Sequence, residues 1–398
     1  MFRGFEIFNF RFLSIFLLII LKNTASFSQN ISVRIFSQYE LKSLVFTPVY
    51  GEYNLICNND TIKKIKKLDI INIYTSNDSL IAKQWLTYIC SGDTIKMLPT
   101  VPGSYFRIKA IKPDLKVRYY EGSFKIWLDS ISHNIIVVNS LDIEKYVSGV
   151  IESEAGSNSS LPVEYLKTQA VISRTYALKN KNMYKEEGYD LCDNINCQAY
   201  YGKSLRNKNV TIAVNQTKGL VIVDSSFNLI YSVFHSNSGG ETAYSYQVWH
   251  DTIPYLSSVT DSFSIGGKNY LWNFKIKKSV WLDYLTQKGI KVNRDFNFSL
   301  KMPHRQKYLY FGKDSIKTSE IRKDWGLKSA FFDIVDNGNY IILNGRGFGH
   351  GVGLCQEGAL RMAKYKFNFR EILEYYYSGI RIVPYSDVLK VKSKEINN

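Results

Sequence analysis

From Ile31 to about Asp114 the chain alternates apolar and polar positions in short runs rich in β-branched residues, among them Ser32–Phe36, Ile70–Tyr74 and Tyr105–Ile111. Asn-Asp, Ser-Gly and Pro-Gly pairs separate the runs, and this pattern predicts a small antiparallel β region. Arg118–Trp127 and Ile135–Asn139 continue the strands, with Gly122 as a turn or bulge. The period then changes. Val163, Leu166, Ala170 and Ala177 recur at helical spacing behind Ser159, Ser160 and Pro162, which predicts a helix from Pro162 to Asn180. Strand-like runs return at Val210–Val223 and Leu229–Phe234. A basic, aromatic stretch from Ser264 to Tyr340 holds a helical piece near Ser279–Gln287, and short helices are expected at Leu354–Tyr365 and Phe369–Tyr377. The expected fold class is α+β, with mixed or antiparallel sheets and flanking helices around a cleft, plus a β-rich N-terminal region.

At 398 residues the chain exceeds the size at which one core usually stops growing, so more than one folding unit is expected. The expected division is 1–28, 29–114, 115–385 and a C-terminal tail 386–398. Hydrophobic residues at 45% and charged residues at 22% exclude a disordered or acidic-tail protein. The net charge of +16 suits nucleic acid, an anionic membrane surface or an anionic polysaccharide, without choosing among them.

Residues 1–28 narrow that choice. Arg3 and Arg11 precede an apolar run, Phe12–Leu21, broken only by Ser14, and Ser26-Phe27-Ser28 offers a cleavage site before Gln29. The run is half of the roughly 20 residues that span a bilayer, so the segment reads as a secretory signal peptide and the mature chain as extracytoplasmic. That argues against nucleic acid as partner. Five cysteines, Cys57, Cys90, Cys192, Cys197 and Cys355, are too few for a disulfide scaffold, and their odd number leaves at least one unpaired, with Cys355 the foremost candidate.

The sequence has no P-loop, no H-E-x-x-H and no G-x-S-x-G. Its run of alternate glycines, Gly345 to Gly353, fails the dinucleotide spacing and instead lets backbone approach backbone or ligand closely. His350 lies in the middle of that run, either as a structural imidazole or as a site residue. Glu152 and Glu154, read as alternate positions of a strand, would face one cleft, and like charges would raise the pKa of one of them. Arg174 falls on the inward stripe of the Pro162 helix, where it needs either a structural ion-pair partner or an anionic ligand.

The segments YVSGVIESEAG, LPVEYLKTQAVISRTYAL, LCDNINCQAYYG, FHSNSGGETA with VWHDTIPYLSSV, and GRGFGHGVGLCQEGALRMA with EILEYYYSG resemble the five consecutive blocks of the stage II sporulation protein D / amidase-enhancer family. They run in the family's order from about Arg118 to Val383. The resemblance implies a peptidoglycan lytic transglycosylase, acting on the MurNAc–GlcNAc bond of glycan strands stripped of their stem peptides, at the periphery of the cell envelope. The alternative it implies is a non-catalytic, peptidoglycan-binding enhancer of a cell-wall amidase.

By the same resemblance Glu154 is the catalytic acid. Gln169, Arg174 and Tyr176 on the helix, Gln198 in the cysteine loop, His235, Ser236, Ser238, Gly239 and Gly240 in the H-S-x-S-G-G loop, and His350, Gln356 and Gly358 in the glycine-rich block belong to the substrate site. No cofactor is implied. Some family members bind zinc through the cysteine loop, but Asn196 stands here where others carry His. Cys192 and Cys197 are left as a short-loop disulfide, a metal pair or free thiols.

Overall fold

The structure, a computed structural model, describes residues 29–396 apart from 157, 206 and 293–295. The expected signal segment, residues 1–28, lies outside the described residues. The fold is α+β.

Twelve strands come first: β1 Asn30–Ile35, β2 Ser43–Tyr50, β3 Tyr53–Cys57, β4 Asp60–Ile65, β5 Ile71–Ser76, β6 Ser79–Gln84, β7 Thr87–Gly92, β8 Thr94–Pro99, β9 Tyr105–Lys112, β10 Arg118–Glu121, β11 Ser123–Leu128 and β12 Ile135–Asp142. The period-2 burial of β1, β3 and β9 is what the alternation predicts, with Ile31, Val33 and Ile35 all inward on β1. Two sheets result. One has the order β13-β1-β12-β11-β8-β3-β4, where β13 is the short strand Leu191–Cys192, and the other the order β10-β9-β2-β5-β6-β7. Phe46, Phe106 and Phe124 meet between them at centroid distances of 4.8–5.6 Å. The division expected at 114/115 falls inside the second sheet, between β9 and β10, and the first sheet draws strands from both sides of it.

A helical layer follows: α1 Ile143–Ala155, α2 Val163–Lys179 and α3 Lys208–Gln216, which pack on one another. Two expectations are corrected here. The Glu152–Glu154 segment is helix, not strand: Asp142 caps α1 by accepting the Glu144 N–H at 2.9 Å, and Ile143, Tyr146, Val147, Val150 and Ile151 form its buried stripe. The run from Val210 is helix as far as Gln216. Asn207 caps it, Val210, Ala213 and Val214 bury at i, i+3, i+4, and only β14, Leu220–Val223, is strand.

The Leu229–Phe234 run makes a single bridge, Val223 to Leu229, before the two-residue strand β15, Phe234–His235. A short helix, α4, spans Ser245–Val248. A smaller unit with its own core around Trp281, Leu285, Phe332 and Leu343 is built from β16 Leu271–Lys277, α5 Lys278–Gln287, β17 Tyr308–Phe311, β18 Asp314–Lys317, α6 Thr318–Asp324, β19 Phe332–Asp336 and β20 Tyr340–Arg346. The chain then returns through β21 Leu354–Cys355, which pairs in parallel with β15, to α7 Gln356–Lys364 and α8 Phe369–Tyr376. Strand β22, Arg381–Pro384, pairs with β14, and the expected tail is a helix, α9 Tyr385–Ile396. Helix α2 lies at the centre, packed on α1, α3, α7, α8 and β14.

Candidate active site

Helical periodicity sorts the two glutamates. Glu154 stands seven, four and three residues after Val147, Val150 and Ile151, so it continues the buried stripe of α1. Glu152 lies two positions away, on another face, where Ser204 donates to its carboxylate. The Glu154 carboxyl is pushed above its ordinary value of 4.5 by burial, and the N–H of Ala199, donated to Oε1 at 2.9 Å, opposes this only in part. No described residue donates to Oε2, and no second carboxylate contributes to the shift. The two carboxylates of the strand reading are therefore not a pair.

A glycine sets the geometry. The cysteine loop crosses α1 at Gly149, where a Cβ would stand 2.2 Å from the Gly202 carbonyl oxygen and 2.6 Å from the Tyr200 ring. That close approach puts the Tyr201 N–H on Ser153 Oγ at 3.0 Å and the Ala199 N–H on Glu154. Gln198 is buried beside them. Its Oε1 accepts from the Tyr146 hydroxyl at 3.3 Å, and its Nε2 has no partner.

Gln169, on α2, is 1% exposed, and neither of its amide atoms has a partner among the described residues. An amide buried in that state costs free energy unless a ligand or water completes it. One turn earlier, the Tyr165 hydroxyl is pushed up by burial, with Glu154 and Glu357 adding to the rise.

Arg174 faces the protein. It is 1% exposed and bidentate to Glu144, Nε to Oε1 at 2.9 Å and Nη2 to Oε2 at 2.5 Å, while Nη1 donates to the Leu220 carbonyl at 3.0 Å. Glu144 also accepts the Gly219 N–H at 3.0 Å, so the pair clamps α1, α2 and the start of β14 together. The structural ion pair, not the anion-facing role, is what the geometry gives. Tyr176 turns to the cysteine loop, its hydroxyl 3.4 Å from the Asn196 carbonyl oxygen.

The H-S-x-S-G-G loop and the glycine-rich block interlock backbone to backbone. Asn237 and Phe348 exchange N–H···O bonds at 3.1 and 2.8 Å, and a Cβ on Gly347 would meet the Asn237 carbonyl oxygen at 2.6 Å. Gly239 and Gly240 take φ of +74° and +97°. Ser238 is buried on Asp261 at 2.8 Å, and Tyr376 donates to the same carboxylate at 3.0 Å through the space left by Gly358. Ser236 accepts the Asn269 amide at Oγ, 3.1 Å, and the Glu357 N–H at its carbonyl, 3.0 Å.

His350 is held at both nitrogens, Nε2 to the Phe234 carbonyl at 2.9 Å and Nδ1 to the Val352 N–H at 3.1 Å; burial drops its pKa to about 4. It is a structural imidazole, because no ring nitrogen is left over. His235 bonds the Val352 carbonyl through Nδ1 at 3.1 Å and keeps Nε2 unpartnered. Gln356, the first residue of α7, has an unpartnered Nε2. Cys355 caps α7, its Sγ accepting the Gly358 N–H at 3.3 Å.

Cys192 and Cys197 are thiols with their sulfurs 2.8 Å apart. Donation from Cys197 lowers Cys192 to about 6, while Cys197 is raised by the same contact. They supply two of the four donors that zinc asks for, and among the described residues no third His, Cys, Asp or Glu joins them. This loop does not fit the metal site that some family members carry.

Among the described residues the arrangement thus offers one half-buried acid with a raised pKa, a carboxyl oxygen without a donor, and buried amides with hydrogen bonds unmade. The family model described as stage II sporulation protein matches residues 131–223, the segment holding Glu154, Gln169 and Gln198. An uncharacterised protein of Brachyspira hyodysenteriae is 33% identical over 279 residues, 64% of this chain and 70% of the relative. The amidase enhancer of Bacillus subtilis is 28% identical over 294 residues, 60% of this chain and 40% of the relative. The stage II sporulation protein D of Bacillus subtilis is 30% identical over 265 residues, 62% of this chain and 75% of the relative. Identity at that level over three quarters of the sporulation protein, together with the family model, makes the chain a member of the stage II sporulation protein D family.

Proposed function

We propose that the protein is a peptidoglycan lytic transglycosylase that cleaves the MurNAc–GlcNAc bond of peptide-stripped strands, with Glu154 as its single acid and base. The stage II sporulation protein D and amidase enhancer relatives support a cell-wall-related role. The observation that carries the finer reading is Glu154 itself: raised by burial, with one oxygen fixed by Ala199 and, among the described residues, no donor on the other and no carboxylate partner.

One acid suffices for this chemistry. Glu154 protonates the glycosidic oxygen as the bond from C1 breaks. As carboxylate it then takes the proton of the muramyl 6-hydroxyl, whose oxygen closes on C1 to form a 1,6-anhydro ring. No water is consumed. A two-carboxylate glycosidase would instead need a second Asp or Glu across the bond. A pKa raised toward the working pH keeps the acid protonated when the substrate arrives. The unmade hydrogen bonds of Gln169, Gln198 and Gln356 suit the acetamido and hydroxyl groups of an amino-sugar chain. An amidase that removes the stem peptides is the natural partner of such an enzyme. The place of action is extracytoplasmic, following the signal-like residues 1–28; among the described residues no helix is long and apolar enough to cross a membrane.

A second reading, a wall-binding module that enhances an amidase, draws on the amidase enhancer relative. Glu154→Gln separates the two. The amide keeps the shape but cannot pass a proton, so turnover of peptide-stripped strands should fall about 10²–10⁴-fold while strand binding persists. Glu152→Gln should leave turnover within a factor of a few. Undiminished function in Glu154→Gln would leave the binding module standing.

A further inference from the structure

The β-sandwich carries a feature far from Glu154 in sequence. Trp85 and Leu86 form the turn between β6 and β7 and are 72% and 96% exposed; Leu68, in the turn between β4 and β5, is 66% exposed. Trp85 and Leu68 also have φ of +56° and +70°, a left-handed backbone that bulky side chains avoid and glycine adopts freely. Two large apolar residues thus sit where both backbone and solvent disfavour them. Strain retained against that double cost points from the outlier to a use.

The two turns form one tip. Gln84, the last residue of β6, donates to Asp69 at 2.9 Å and accepts from Lys63 at 2.5 Å, and Asp69 also takes the Lys66 N–H at 2.8 Å. Lys64 is paired with Glu52 at 2.5 Å. Lys63, Lys66 and Lys67 remain as exposed ammonium groups around the apolar side chains, with no carboxylate within ion-pair distance among the described residues.

We propose that this tip docks the protein on an anionic lipid surface, with Trp85, Leu86 and Leu68 entering the interfacial layer and the three lysines meeting headgroup phosphates. Apolar tips in a cationic collar match that interface group for group. The proposal is independent of Glu154 and its chemistry.

The test is co-sedimentation of the chain beginning at Gln29 with vesicles of phosphatidylglycerol in phosphatidylcholine. Binding is expected, should weaken with salt, and should be slight on phosphatidylcholine alone. Trp85→Gly suits the left-handed backbone, so it should keep the melting temperature while lowering partitioning roughly tenfold. Replacing Lys63, Lys66 and Lys67 by Gln should cost about fivefold per residue. The proposal fails if the chain does not sediment with anionic vesicles, if it binds neutral ones equally, if only a soluble polyanion retains it, or if Trp85→Gly binds as the unmodified chain does.

Discussion

The residues expected at the site fall into two halves that treat their polar side chains in opposite ways. In the half built on β15, β21 and the glycine-rich block, Ser238, Asp261, Tyr376, Asn237, Glu357 and His350 are bonded to one another or to backbone. In the half built on α1, α2 and the cysteine loop, Glu154 Oε2 has no described partner, and both amide atoms of Gln169 and the Nε2 of Gln198 are unengaged. A motif residue whose hydrogen bonds close within the protein holds the fold, and one left open can take its missing bond from a ligand or a water. His235 and Gln356 are where the closed half opens, each with one unpartnered nitrogen. Family motifs alone do not make this distinction, since both halves are equally dense in them.

Arg174 tests the comparison with the largest effect on stability. It lies in the open half but is closed onto Glu144, so Arg174→Met should strand a mostly buried carboxylate and lower stability by about 3–5 kcal/mol in denaturant unfolding. Affinity for peptide-stripped strands, measured on the folded fraction, should not change. A stable variant with weakened strand binding would return Arg174 to the ligand-facing role.

A matched pair sharpens it. Ser238→Ala removes a donor from the buried Asp261 and should cost about 1–3 kcal/mol, with little change in strand affinity. Gln169→Leu removes an amide that makes no bond, so stability should hold or rise while strand affinity and turnover fall. Equal stability losses in the two variants would erase the distinction between the halves.

Much of this was legible in the sequence where the signal is local. The alternation of Ser32–Phe36 and Tyr105–Ile111, and the 3.6 spacing of Val163 to Ala177, give strands and helix in the structure. Glu154 as the acid and Gln169 as a site residue came from the family resemblance, and the geometry puts both on inward faces. The strand reading of Glu152 and Glu154 fails because two glutamates two apart invite it, whereas Val147, Val150, Ile151 and Glu154 carry the helical spacing that decides burial. The run from Val210 misleads through its β-branched residues; packing of α3 on α1 and α2 overrides that preference. Partners distant in the chain were not legible. Nothing near Arg174 names Glu144, thirty residues earlier, and no local pattern says that strands on either side of residue 114 share their sheets.

The central claim is that one acid acts without water, and the ends of the products report on it directly. Peptide-stripped glycan strands digested with the unmodified protein and analysed by mass spectrometry should yield fragments ending in 1,6-anhydro-muramic acid, each lighter by one water than its hydrolytic counterpart, and Glu154→Gln should yield none. Reducing ends of full hydrolytic mass would contradict the account, because they require a water and a second group to activate it.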